Sequence, residues 1–397
     1  MTETSPAVAA EPARYDLVIT GGEVLDPSQG LRGHLDLAIH RGKVAAVAPR
    51  IPAERAVQTI SVAGRLVVPG LVDLHAHVYP RFNVIGTLPD QLAPLNGSTT
   101  LVSAGDVGHN GFAMLRQWVI GQARTRVFAF VHISLIGLIG SPIGEMLNLA
   151  YGDVEAAARI AAEHQDVVIG IKVRQSRRIV GENGLEPLRR AIAAAEASGT
   201  DARVMCHIGD VPGDLSDLLD LLRPGDILTH AYTGGNGVVQ NGALLAAARE
   251  AKARGVVIDV GNGGGGFDYT ICEPALEQGL LPDTISSDIH PRNMYRPGRP
   301  YLPWVMSEFL HLGFSLEQVV AMATINPARI INRVPGLGTL QVGAPGDVTL
   351  LELVEGPVTF VDGQGNRRAG SRVLRPVGLV IGGYPHGFPP PLGEAFP

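Results

Sequence analysis

The sequence predicts an α/β fold, a (β/α)8 TIM-type barrel joined to a small β-sandwich domain that is built from both chain ends. Three observations lead there. Eight short apolar runs recur between residues 69 and 336, most are followed by an alanine-rich or amphipathic stretch, and both chain ends instead alternate apolar and polar residues between tight turns. Nearly continuous apolar strands joined by helices require a parallel sheet covered on both faces. The middle segment has the length of a barrel, about 250 residues.

In chain order, residues 1–14 read as a loose tail, since they lack the basic stretch and apolar core of a secretory signal. Residues 15–68 carry YDLVITG, GEVLD, HLDLAIH, KVAAVAP and RLVVPG, separated by Gly-Gly, Asp-Pro-Ser and Arg-Gly-Lys turns, the pattern of an antiparallel sheet. The same texture returns over residues 337–384 in DVTLLEL, PVTFVDG and VGLVIGG, so the two segments are expected to form one composite domain. Residues 385–397 read as a loose proline-rich tail. Between them the barrel runs are GLVDLHAH, STTLVSAG, RVFAFVHIS, VVIGIKV, RVMCHIG, DILTHAY, GVVIDVG and TISSDIH. Helices are predicted over Asp153–His164, Gly184–Ser198, Leu215–Leu222 and Asn241–Arg254.

Composition narrows the partners. With 32 Lys and Arg against 38 Asp and Glu the formal charge is −6, and no basic block occurs, which argues against nucleic acid. The most apolar stretch, Val127–Ile143, is broken by His132, Ser134 and Pro142 and falls short of a membrane span. Two cysteines, Cys206 and Cys272, point to a reducing compartment, hence the cytoplasm; a small-molecule substrate and a homo-oligomer are expected as well. Fifty glycines, well above the usual share, suit a fold with many tight connections.

The polar residues on the apolar runs carry the chemistry. His75 and His77 close the first run, Lys172 lies in the fourth, His207 and His230 close the fifth and sixth, and Asp288 the eighth. Barrel enzymes build their sites at these strand ends. His75 and His77 alternate about Ala76, so both imidazoles share one face, and several imidazoles with a carboxylate are a donor set for a zinc-like ion. A strand-end histidine pair that is merely satisfied in the core is the plainer alternative for His-x-His alone. Lys172 sits in a strand that should be buried, where the neutral amine is favoured. Such an amine reacts with carbon dioxide to give an anionic carbamate that can bridge two metals. Two bare divalent ions about 3.5 Å apart repel by about 20 kcal/mol at an effective dielectric of 20, so an anionic bridge answers a physical need. A lysine reaching out to the rim is the alternative.

These residues resemble a known group. Asp73-Leu74-His75-Ala76-His77, the strand-four lysine, single histidines on strands five and six and the strand-eight aspartate are the pattern of the amidohydrolase superfamily. More narrowly, GLVDLHAHVYP, ISLIGLIG, GIKVR, NGLEPL, CHIGD, GDILTHAY and PDTISSDIH look like its cluster of dihydroorotase-like deacetylases. The resemblance covers the chain from Tyr15 to about Tyr384. It implies two divalent ions, Zn2+ by preference, with His75, His77 and Asp288 on the first. His207 and His230 would hold the second, and an N6-carboxylysine at Lys172 would bridge them. Asp288 would act as general base toward a bridging hydroxide. The implied reaction is hydrolysis of an amide or ester bond in a small acylated α-amino or α-hydroxy acid. A cyclic-amide hydrolase of dihydroorotase or hydantoinase type is the alternative in the same class, and a non-catalytic barrel scaffold is the alternative from another. Asn262 stands where relatives often carry histidine, which makes it a substrate-facing candidate.

Further candidates surround the expected mouth. Arg174 shares a face with Lys172 and Arg292 follows Asp288, so either is placed to clamp a substrate carboxylate bidentately, or to serve as a solvated rim charge. Tyr79 and Tyr232 lie just past metal-bearing strand ends, where they either line the mouth or pack. Gly261–Gly266 also satisfies G-x-G-x-x-G after a strand, but a dinucleotide fingerprint would leave the histidines unexplained.

Overall fold

The structure is a computed structural model that describes residues 14–83, 85–139, 143–295 and 299–386. Both predicted tails fall almost wholly outside the described residues. The centre is a curled, seven-stranded parallel sheet whose strands lie side by side in chain order: Leu71–Ala76, Ser98–Gly108, Arg126–His132, Val168–Gln175, Arg203–Ile208, Ile227–Thr229 and Val257–Ile258. They coincide with the first seven apolar runs, and each central strand is buried on both faces, as Val127–His132 illustrates.

The eighth run differs from expectation. Thr284–Ile289 forms no ladder strand and meets its two neighbours only at single bridges, Asp259 with Thr284 and Ala76 with Ile289. Its donors are drawn to side chains: Ser287 N and Oγ donate to the Asp73 carboxylate, and Ser286 Oγ donates to Asp259. Asp288 then takes φ 46°, which an extended strand excludes. Backbone bonds still run both ways from this segment, from Asp288 N to His75 O at 2.7 Å and from Asn262 N to Ser286 O at 3.1 Å.

Helices return over the outside of the sheet near their predicted bounds. Val154–Glu163 is capped by Asp153, whose carboxylate accepts from Ala156 N at 2.9 Å. Glu186–Ala197 and Leu215–Leu221 follow, whereas the last of the four begins late, at Ala246, because Ala243–Leu244 pairs with Val239–Gln240.

Both chain ends enter one six-stranded sheet. Leu66–Pro69 pairs antiparallel with Val348–Leu351, and the long hairpin Val348–Val361 with Arg367–Ile381 extends it. A four-stranded sheet, which includes Tyr15–Thr20 and Asp36–His40, packs on it through Leu17, Leu37 and Ile39 against Val67, Leu350 and Val380. No helix of the described residues is long and apolar enough to cross a membrane.

Candidate metal centre

Strand ends bring His75, His77, His207 and His230, and the interior of the Val168–Gln175 strand brings Lys172, together with Asp288 around one cavity of about 420 Å³, a size usual for small-molecule sites. Ring centres of His75 and His77 lie 5.6 Å apart, those of His75 and His230 5.0 Å, and those of His207 and His230 4.4 Å. Asp288 Oδ1 is 2.9 Å from His77 Nε2 and 3.2 Å from His75 Nε2. Lys172 Nζ is 3.4 Å from His75 Nε2.

Each anchored ring is turned the same way. Thr229 Oγ1 donates its only proton to Asp259 Oδ2 at 2.7 Å, so it accepts from His75 Nδ1 at 2.8 Å. His77 Nδ1 donates to Asp106 Oδ1 at 2.9 Å, and His230 Nδ1 donates to the carbonyl of Gly261. A ring nitrogen held by an acceptor fixes the tautomer and leaves Nε2 with a lone pair facing inward. His230 Nε2 is buried with no hydrogen-bond partner among the described residues. The His75 Nε2 lone pair faces the Asp288 carboxylate, a repulsive contact that a cation between them converts into coordination.

The electrostatics fit that reading. Burial lowers the His75 and His207 pKa values well below the ordinary imidazole value and takes His230 down to about 4, so these rings are neutral and ligand-competent at pH 7. Burial also acts on His77, but the flanking Asp106 and Asp288 carboxylates outweigh it and raise that ring to about 9, so with no ion present its Nε2 carries a proton toward Asp288 that a bound cation would have to displace. Burial would neutralise Asp288, yet the surrounding histidines hold it well below the usual carboxylate range. Burial brings the Lys172 ammonium down to about 8. The donor atoms of His75, His77 and Asp288 all lie within 4.8 Å of one another, a group able to hold a metal ion.

The glycine run now has a place. A methyl on Gly266 would lie 2.2 Å from His230 Nδ1, and one on Gly263 2.3 Å from Asp288 Oδ2. The loop must therefore be bare of side chains at Gly263 and Gly266 to pass behind both groups. His230 and Asp288 themselves hold positive φ, 60° and 46°, strain of the kind that collects at functional sites.

The outer candidates separate. Arg174 and Arg292 line the cavity. Arg174, however, is gripped by Glu145, donating Nε and Nη2 at 2.6 and 2.8 Å. Asn262 turns away from the cavity, giving its amide to Glu308 Oε2 at 2.8 Å and accepting from Gly264 N. Tyr79 stacks on Phe82 with ring centres 4.7 Å apart, and Tyr232, wholly buried, donates its hydroxyl to Leu280 O at 2.9 Å. Neither tyrosine lines the cavity. Sequence reasoning passed over Asp106, Thr229 and Glu145, which hold the rings and Arg174, and over Ser176, Arg178, Asp210 and His290 on the cavity wall. Their one signal was proximity: Thr229 precedes His230, and Ser176 and Arg178 follow Lys172 closely.

Comparison with known proteins agrees with the geometry. The amidohydrolase family model matches residues 268–374. A deacetylase of Agrobacterium fabrum is 32% identical over 86% of this chain and 84% of its own. A deacetylase of Enterococcus faecalis is 31% identical over 93% of this chain and 98% of its own. A solved structure described as a dihydroorotase superimposes with a TM-score of 0.86 at 30% identity, covering 94% of this chain and 99% of that one. The chain belongs to the amidohydrolase superfamily and is a hydrolase.

Proposed function

We propose that the chain is a metal-dependent hydrolase that cleaves the amide or ester carbonyl bond of a small acylated α-amino or α-hydroxy acid. The observation that carries this is that His75, His77 and His230 are each anchored through Nδ1, with Nε2 of His75 and His77 turned toward Asp288 and that of His230 buried without a hydrogen-bond partner among the described residues. Similarity to two deacetylases supports the acyl-transfer class. The fold is read as a (β/α)8 TIM-type barrel over residues 69–336, the Thr284–Ile289 segment completing the ring. Residues 15–68 and 337–384 form the composite β domain. The two unbridged, buried cysteines support a reducing, cytoplasmic setting.

In this reading His75, His77 and Asp288 hold one divalent ion and His207 and His230 the other, with zinc suited to the donor set. Lys172, once carboxylated, would supply an anionic oxygen donor to both ions. Its neutral amine attacks carbon dioxide, an N–C bond forms, one C–O π pair moves to oxygen and a proton leaves, giving a carboxylate. When bound, the ions lower the pKa of water toward about 7 and polarise the scissile carbonyl. Asp288, kept ionised by its histidine neighbours, takes the proton of the attacking water and delivers it to the departing nitrogen or oxygen. Asp106, Thr229 and the Gly261 carbonyl keep three of the rings in the tautomer this requires.

Elemental analysis is expected to find about two transition-metal ions per chain, and a panel of N-acyl amino acids, acylated hydroxy acids and cyclic imides to show acyl release from the first two. Full activity in metal-free protein overturns the mechanism. Ring opening of cyclic imides without acyl release overturns the substrate class in favour of a cyclic amidase.

A further inference from the structure

We infer that Ser176 and Arg178, on the turn after the fourth strand, form the subsite that takes the carboxylate of the substrate, so that Arg178 sets the preference for acids. The inference rests on reading the cavity as the substrate site and concerns only its anionic corner.

Arg174 and Arg178 both reach the cavity wall, but their surroundings differ. Arg174 donates twice to Glu145, a nearly fully buried carboxylate that His132 Nε2 also approaches to 3.3 Å, so its charge is already met within the protein. Arg177, between them, turns outward and pairs with exposed Asp210 at 3.4 Å. Arg178 has no acid within ion-pairing distance among the described residues. Arg178 is exposed at the cavity mouth, where its planar fork is accessible to an anion entering the cavity, and a carboxylate matches that fork bidentately.

Ser176 supplies the second observation. It occupies the N-cap position of the Arg177–Val180 turn, where a serine hydroxyl ordinarily accepts from a backbone N–H. Here it makes no such bond, and among the described residues its Oγ has no hydrogen-bond partner. Instead the hydroxyl lies over Gly209, where an added methyl would be 2.6 Å from Ser176 Oγ and 3.8 Å from His207 Nε2. Ser176 thus faces the space beside a metal-ligand candidate, on the same wall as Arg178. A carboxylate bonded there leaves the α-substituent beside Leu138 and Ile208, which also line the cavity.

The test uses the full-length protein as purified and probes that carry no acyl group: lactate and 3-phenyllactate, each against its primary carboxamide, with affinities measured by calorimetry. Wild type is expected to bind the carboxylates about 10- to 100-fold tighter than the carboxamides. Arg178→Gln should collapse that ratio, Arg178→Lys should keep part of it, Ser176→Ala should reduce it less, and Arg177→Gln should leave it unchanged. A wild type that does not prefer the carboxylates overturns the inference. So does Arg178→Gln that keeps the preference, because chelation by metal alone would then explain it. Absence of acyl release in the substrate panel would sink the deacylase reading while leaving this binding result standing, so the two failures are told apart.

Discussion

The bottom of the cavity and its rim are built on different terms. At the bottom, the side chains of His75, His77 and His230 are each held by a partner behind them, Thr229, Asp106 and the Gly261 carbonyl. At the rim, Arg174 and Arg178 lie four residues apart, yet one is locked to Glu145 and the other faces the cavity. Strand periodicity decides what the bottom presents, whereas the path of a short turn decides the rim. Chemistry common to a superfamily therefore belongs to the strands, and substrate choice to the turns.

The sharpest way to break this contrast is at Asp288. Asp288→Asn keeps the shape but removes the proton acceptor, and kcat should fall by about 10²- to 10⁴-fold. Turnover within a few-fold of wild type would remove Asp288 from the proton path. A smaller effect is expected one layer back. Thr229→Val deprives His75 Nδ1 of its acceptor, and metal affinity measured by chelator competition should weaken by about 10- to 100-fold. Arg178→Gln should leave that affinity unchanged. If Thr229→Val retains metal as wild type does, the ring is oriented by something else, and bottom and rim do not differ as argued.

What was legible in the sequence follows the same division. His75 and His77 alternate about a single residue, and a period of two leaves no choice of face. Lys172, His207 and His230 sit in apolar runs whose strand identity was plain. The eighth run was harder: TISSDIH reads as a strand, but its serines bond the Asp73 and Asp259 carboxylates and Asp288 adopts a positive φ. Side-chain competition for backbone-like bonding is invisible in an apolar pattern. At the rim, Tyr79 and Tyr232 have the right distance from strand ends but the wrong direction, since burial against Phe82 and toward Leu280 decided where they point. Asn262 turned toward Glu308, a partner 46 residues away that no local pattern reveals.

Glu308 offers the mildest test, because it supports the loop between bottom and rim without touching either. It is 1% exposed, on the helix Leu302–His311, and accepts from Asn262 Nδ2 at 2.8 Å and from Tyr269 Oη at 3.2 Å. Asn262 Oδ1 in turn accepts from Gly264 N at 3.0 Å, which ties the carboxyl to the glycine loop. Burial raises the Glu308 pKa to about 8 from an ordinary value of 4.5. Between those two values the native state holds a proton that the unfolded chain has released, so ∂ΔG/∂pH of unfolding is negative there. The stability associated with this group is complete below about pH 4.5, declines as pH rises toward 8, and levels off above it. Glu308→Gln retains both acceptor and donor capacity without the ionisation. The variant should match wild type near pH 5 and exceed it by a few kcal/mol at pH 9, a fully buried group being little screened. Urea unfolding across that range measures the difference, and parallel profiles for the two proteins would show that Glu308 is not the group that titrates. Because the substitution preserves the bond to Asn262, kcat at pH 7 should change by less than about threefold. A larger loss would mean that the glycine loop transmits the state of Glu308 to His230 and Asp288, and that bottom and rim are mechanically joined through it.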